Sequence, residues 1–366
     1  MEISGAKIMN DLNRRSVLMS GMAMASLPLM GAAPAPQWDD IPVAPYPGKR
    51  DDISFGDAMN GWYGTGAGDL FRTTDGGNSW LKVASRPGTF IRALGFVDGR
   101  TGFIGNVGTD YYPGVTDKTP LYRTDDAGVT WLPVDLGGKT IAGVCSIDVL
   151  KTQRIYQGVL QPHVVIHAAG RVGGPTGLLR SADGGKTWSV RDMSDVAGMI
   201  LDVKFLDENT GLIFASTSRD AATTEGLILR TTDGGVSWQP VYRSGRQAEL
   251  IWKASFVDGK IGYATVQSYD TSRGQQLIVK TTDGGQSWTE LPMVVDATAR
   301  QFGIGFIDES RGWVGTAAGG FETRDGGRSF APVGIAKAAN KIRIVRDGAA
   351  TQVYAIGTRL QRLTLR

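Results

Sequence analysis

The chain has one cysteine, Cys145, and two histidines, His163 and His167, among 366 residues. A lone cysteine excludes an intrachain disulfide and reads as an inert thiol buried on a strand, the common fate of free cysteine. The histidines stand four apart, the spacing that lets two imidazoles share a zinc ion on a helix. They flank Val164-Val165-Ile166, a β-type run, and on a strand their Cα atoms would lie about 13 Å apart. No Glu follows the first in the H-E-x-x-H sense, so neither a metal nor a cofactor is expected. Charge of one sign is also scarce: 39 Lys and Arg against 36 Asp and Glu leave +3, with no basic run longer than two. That excludes the basic stripe of a nucleic-acid binder. G-x-S-x-G and P-loop patterns are absent, which removes support for nucleophile-elbow hydrolases and P-loop NTPases.

Glycine is abundant instead, at 51 residues and without a G-x-y period. So many glycines imply many tight turns between short strands. Residues 1–37 read apart from the rest. Asn13-Arg14-Arg15-Ser16-Val17-Leu18 sets two arginines ahead of an uncharged stretch, Val17 to Ala33. A basic start, an apolar middle and small residues near a cleavage point form the secretory pattern. It resembles a twin-arginine signal, with Asn13 where Ser or Thr is usual and Val17 where Phe is usual, and a Sec signal is the alternative. The expectation is export to the periplasm or beyond.

A motif of the form [ST]-x-D-[GA]-G-x-[ST]-[WF], here called the box, recurs six times. Its aspartates are Asp75, Asp126, Asp183, Asp233, Asp283 and Asp325, at spacings of 51, 57, 50, 50 and 42. Repeats of that period indicate a solenoid, propeller or array. Ahead of each box lies a hairpin lead, such as Leu94-Gly95-Phe96-Val97-Asp98 running to Gly102-Phe103. A weaker lead, Val144-Cys145-Ser146-Ile147-Asp148, opens the third unit. Lead, third strand, turn and a fourth strand from the Trp make four strands per repeat, one propeller blade.

A seventh lead begins at Ile342 but its unit lacks a fourth strand. Gln37-Trp38-Asp39-Asp40-Ile41 resembles the strands that follow the boxes, so Trp38 is expected to complete the last blade beside residues 359–365. The fold expected over 38–366 is therefore all-β, one seven-bladed propeller closed by its own N-terminal strand. In the box, the glycines supply positive φ and the carboxylate accepts turn N–H groups. The six aspartates read as structural.

Boxes and leads together resemble the BNR/Asp-box superfamily, and most of all the photosystem II stability/assembly factor family. That resemblance implies a non-enzymatic propeller, lumenal or periplasmic, binding newly made membrane-protein subunits. Sialidases and some endoglucanases carry the same boxes, which makes a sialidase-like glycosidase the rival reading. Neither Arg-Ile-Pro nor Arg-Leu-Pro, one of which a sialidase site should include, occurs here. Acids on the loop side that could serve it are Asp110, Asp117, Asp220, Glu249 and Asp270, and glycosidic chemistry needs two carboxyls about 5–9.5 Å apart.

Loops between second and third strands look short at 64–69 and 316–320 and long at 105–120, 161–177, 216–226 and 267–276. Four adjacent long loops would raise a rim on one face, where binding residues concentrate. Tyr and Arg dominate protein interfaces. The rim candidates are therefore Tyr111, Tyr112, Arg171, Arg219, Tyr269 and Arg273, joined by Arg92, Arg246 and Arg300 from the interblade loops. The expected partner is a protein or peptide client, membrane-protein segments included, held by a monomer.

Overall fold

The computed structural model describes residues 37–348 and 350–365. The leader reading therefore lies outside the described residues, save Gln37. The described chain forms seven antiparallel sheets of four strands each, with no helix among the described residues. Six sheets are continuous in sequence, from Ile53–Phe55, Gly61–Gly64, Asp69–Thr73 and Leu81–Ser85 in blade 1 to Gln301–Phe306 through Ala331–Val333 in blade 6. Blade 7 combines Lys341–Asp347, Ala350–Ile356 and Leu360–Leu365 with Trp38–Asp40. Trp38 lies opposite Leu363 and Asp40 opposite Gln361, and the Trp38 ring packs edge-on against Trp313 of blade 6 at 6.0 Å.

Neighbouring inner strands are stitched by side chains rather than by a continuous ladder. Asp52 accepts from the Leu94 N–H at 2.9 Å, Ser54 from Phe96, Asp148 from Phe205, Asp202 from Ala254 and Ser255 from Phe306. Between blades, an aromatic side chain in the second strand lies flat on the next blade's inner-strand Phe. Trp62 stacks on Phe96 at 3.6 Å and Tyr263 on Phe306 at 3.6 Å. A glycine opposite each Phe makes room for its ring: a Cβ at Gly61, Gly102, Gly211, Gly262 or Gly312 would collide with Phe55, Phe96, Phe205, Phe256 or Phe306 respectively. The recurrent F-x-D…G-[WFY] lead is thus a packing rule.

The boxes close the outer turns. Asp75 accepts from the Thr73 hydroxyl (2.7 Å), the Ser79 N–H (2.9 Å) and the Ser79 hydroxyl (2.6 Å), while Gly76 and Gly77 sit at φ +63 and +80. The Ser79 hydroxyl and N–H hold the Asp75 carboxyl down at about 2. The Thr130 bonds do the same for Asp126. Asp183, Asp233, Asp283 and Asp325 repeat the arrangement.

Blade 3 departs from the expected layout. Its inner strand does not turn at Asp148 but runs on, Ser146–Tyr156, and returns as Val159–Gly170. Residues 161–170, expected as loop, are strand, and the connection to the third strand is only 171–176. No Asp-x-x-x-Gly follows the inner strand to turn it. The chain therefore stays extended until Gln157-Gly158, where φ is +48 and +79, a pair of left-handed residues suited to a two-residue hairpin turn.

Candidate functional site

The loop face carries the sequence-expected rim, and its centre is filled. Val107, Cys145, Val172, Met199, Leu201, Leu250, Trp252 and Phe302 meet there as a buried apolar cluster drawn from blades 2 to 6, with Phe90 and Tyr112 packed against it. Cys145 is buried and accepts the Val172 N–H at 3.3 Å.

Beside this plug, Arg92 is buried on the inner strand of blade 2 and pairs with Asp51 at 2.6 Å, over the Trp252 ring. Lys49 pairs with the same carboxylate. Burial would raise the Asp51 pKa, but Arg92 and then Lys49 hold it below the usual range. Arg92 therefore belongs to the plug's charge cluster and not to an interblade loop.

Arg171 is likewise buried. Its Nε donates to the Gly174 carbonyl at 2.8 Å, and its Nη1 to the carbonyls of Val107 and Thr109, so it ties the blade 2 loop to the blade 3 loop. Arg246 grips Glu249 at 2.9 Å and Glu290 at 2.6 Å, and Arg273 pairs with Glu249 and with Asp270. These two arginines are neutralised where they stand.

Four side chains remain available. Tyr111 is 40% exposed and packs edge-on against Tyr112, which stacks on Phe90 at 4.5 Å. Burial, then the Tyr269 phenol, raises the Tyr111 pKa. Tyr269 is 37% exposed, with the Arg300 guanidinium 4.8 Å over its ring. Arg219 is exposed, lies over Gly174 and donates to the Ser194 hydroxyl at 3.5 Å. Neither Arg219 nor Arg300 has a carboxylate partner among the described residues. A cleft of about 500 Å³ opens on this face between blades 2 and 3, with Asp110, Lys118, Ile141, Pro175 and Asp192 among its walls.

Four of the five carboxylates considered for glycosidic chemistry are engaged elsewhere; the fifth, Asp110, accepts from the Thr109 hydroxyl at 3.1 Å and lines the cleft between blades 2 and 3. Asp117 accepts from Thr89, the Thr119 N–H and Tyr122, and these bonds hold it below its ordinary value against burial. Asp270 is held down by the Ser272 hydroxyl and N–H. Asp220 caps the Ala222 N–H, and Glu249 lies between two guanidinium groups. A Tyr–Glu hydrogen bond, Tyr242 to Glu290 at 2.5 Å, joins the outer strands of blades 4 and 5. There burial and the Glu290 bond push the phenol up, away from ionisation.

The opposite mouth of the shaft was not anticipated. It holds a cavity of about 370 Å³ lined by Asp57, Lys151, Lys204, Arg343 and Arg346 with Phe55 and Phe96. A smaller one of about 210 Å³ beside it is walled by Asp148, Asp202 and Lys341. The alternation Ile342-Arg343-Ile344 was the available signal, since period two puts Arg343 on the face opposite the isoleucines.

His167 takes the place of the stacking aromatic in blade 3, lying flat on Phe205 at 3.4 Å. Burial drives its pKa down to about 3; Asp148 opposes the shift, and Arg180 and Lys204 reinforce it. Its ring nitrogens have no hydrogen-bond partner. His163 lies instead against Glu208, 3.7 Å away. The two imidazoles thus serve different neighbours, and among the described residues no three His, Cys, Asp or Glu side chains converge as metal ligands.

Fold and surface define the class: a seven-bladed β-propeller with a plugged shaft and a tyrosine- and arginine-bearing loop face. No family model matches the chain. It is similar to the structure described as YCF48 bound to D1 peptide, with a TM-score of 0.61 at 16% identity over 93% of this chain and all of that one. It is also similar to YCF48 from Cyanidioschyzon merolae, with a TM-score of 0.59 at 15% identity over 89% of this chain and 98% of the other. The Niastella koreensis GH74 enzyme gives 0.55 at 15% identity, over 85% of this chain but 51% of that one. At such identities the likeness is one of fold. In sequence, the chain is 27% identical over 238 residues to the xyloglucanase Xgh74A of Acetivibrio thermocellus, which covers 56% of this chain. It spans only about a quarter of that relative's length, 26%.

Proposed function

We propose that this propeller is an exported binding scaffold whose loop face holds an extended segment of a protein client. The observation that carries the reading is the contrast on that face between committed acids and free recognition groups. Asp117, Asp220, Glu249 and Asp270 are consumed by turns and ion pairs, whereas Tyr111, Tyr269 and Arg219 are exposed and Arg300, half-buried, has no carboxylate partner among the described residues. Tyr offers a large, stiff contact surface, and an unpaired Arg offers donors for a carboxylate or a backbone carbonyl. Arg300 stacked on Tyr269 is already oriented, which lowers the entropy lost on binding. The likeness to a peptide-bound YCF48, which spans 93% of this chain, fits this reading.

Glycoside hydrolysis is the competing reading, and the xyloglucanase likeness is what favours it. A general acid needs a carboxyl with a raised pKa beside an ionised partner, while Asp117, Asp270 and Glu290 are all held low. The test is capture of a client from the cell envelope with the wild-type protein and with Tyr111→Ala, Tyr269→Ala, Arg219→Ala and Arg300→Ala combined. Loss of the captured segment with unchanged thermal stability is the expected outcome. Undiminished capture, or release of sugar from xyloglucan by the wild type, would overturn the proposal.

A further inference from the structure

Blade 3 sends a β-ribbon out from the box face, and its tip is apolar on both sides. Other inner hairpins turn just past the level of Val149 and Ile166, but this one continues in register to Tyr156 opposite Val159. Seven residues, Leu150 to Tyr156, extend it by roughly 20 Å at about 3.3 Å per residue. At the end stand Ile155 (75% exposed), Tyr156 (62%), Val159 (58%) and Leu160 (58%). Ile155 faces Leu160 and Tyr156 faces Val159, and because strand side chains alternate, the two pairs lie on opposite faces of the ribbon. A ribbon that docks flat on a protein hides one face. One that is apolar on both faces is matched to a medium that surrounds it.

Charge points the same way. The turns of five sibling hairpins each carry an aspartate, Asp57, Asp98, Asp207, Asp258 and Asp308, capping local N–H groups. The projecting stretch from Leu150 to Val164 has no Asp or Glu; its basic residues are Lys151, Arg154 and His163. Arg154 lies two residues, about 7 Å, behind Tyr156, and pairs with Glu208 of the next blade, which fixes the ribbon's direction. Lys151, Lys204 and Arg346 ring the shaft mouth at its root.

We propose that the blade 3 ribbon is a membrane-surface anchor, its tip seated in the interfacial layer of an anionic bilayer. Tyrosine favours the headgroup level, and aliphatic side chains reach the acyl boundary. Two residues of depth on each strand match the 5–10 Å to which interfacial segments are buried. Lys151, exposed behind the tip, meets the negative surface potential, while Arg154 stays paired with Glu208. Anchored so, the ring turns its box face toward the membrane, the ribbon's length of roughly 20 Å holding the box and turn aspartates of that face more than a Debye length off the anionic surface, and leaves the loop face directed away from it. This inference uses none of the loop-face residues and stands or falls independently of the client proposal.

The experiment is flotation of the chain from Gln37 onward, which contains every strand of the closed ring, with vesicles of phosphatidylcholine and phosphatidylglycerol in equal parts. Pure phosphatidylcholine vesicles are the comparison. Wild type is expected to float with the mixed vesicles, and Ile155→Thr, Tyr156→Thr, Val159→Thr and Leu160→Thr together to weaken that binding by about tenfold or more. Thr keeps the strand propensity, and an unchanged melting temperature verifies the fold. Lys151→Gln with Arg154→Gln is expected to weaken binding severalfold on mixed vesicles only. Equal flotation of wild type and the tip variant, or none by either, would overturn the proposal. A photocrosslinker at position 156 that captures a protein while no vesicle binds would overturn it in favour of a protein cleft.

Discussion

Between the same two register positions, blade 5 turns in five residues, Val257 to Ile261, and blade 3 takes sixteen, Leu150 to Val165. The two blades also differ in what fills the space beneath. Blade 5 pairs Phe256 with Gly262 and lays Tyr263 on the next blade's Phe306; blade 3 pairs Val149 with Ile166 and lays His167 on Phe205. Each pair supplies the same number of side-chain heavy atoms, large with nothing against medium with medium. The repeat therefore constrains the sum of two side chains rather than either identity. Where the repeat relaxes its turn aspartate as well, the chain gains a projecting element that packing does not require.

The largest effect should come from mixing the two solutions. Gly262→Ile places a branched side chain into the Phe256 ring and is expected to cost about 3 kcal/mol. Adding Phe256→Val, which recreates the blade 3 pair, should recover more than half of that loss in a denaturant titration.

Next in size is the imidazole. His167 is buried with its pKa lowered to about 3, so below its ordinary pKa of 6.5 the unfolded chain binds a proton that the folded chain refuses. Stability must therefore fall as pH drops from 6.5 toward 3. His167→Phe is expected to remove this loss, about 2 kcal/mol between pH 6.5 and 5. The variant should still weaken below pH 4. There the box carboxyls of Asp75 and Asp126, depressed to about 2, lose the stability they contribute when ionised. Melting temperatures across that range separate the two phases.

The smallest effect is expected from the most drastic edit. Replacing Thr152–His163 by a two-residue Asn-Gly turn between Lys151 and Val164 should move the melting temperature by only about 2 °C, because Ile155, Tyr156, Val159 and Leu160 are more than half exposed and the buried Val165 is kept. A large loss of stability would mean that the ribbon is structural after all.

Much of this fold was legible because its information is local and repeated. Six boxes and seven leads marked the blades, and Trp38-Asp39-Asp40 stood out as a box-end strand with no blade of its own. Blade 3 was misread because Asp148 occupies the sequence place of a turn aspartate. In space it aligns with Ser54 and Ser255, which likewise bond to the next blade's Phe N–H. The rim was legible in part. Tyr111, Tyr269 and Arg219 are exposed, and Arg300 is half-buried over the Tyr269 ring. The fate of Arg92 depended on Asp51 in a different blade, and that of Arg171 on the carbonyls of Val107 and Thr109, neither of which residue type reveals. Arg246 and Glu249 stand at i,i+3, so their pairing was readable in the chain.

The most direct measurement of the loop-face account is residue-specific photocrosslinking in the native cell envelope, with the crosslinker at Tyr269 and, separately, at Val236 on the box face. The expected result is one discrete client peptide attached from position 269, absent from position 236, and lost when Arg219 and Arg300 are replaced by Ala. Adducts from 236 but not 269, or a 269 adduct indifferent to both arginines, would contradict it.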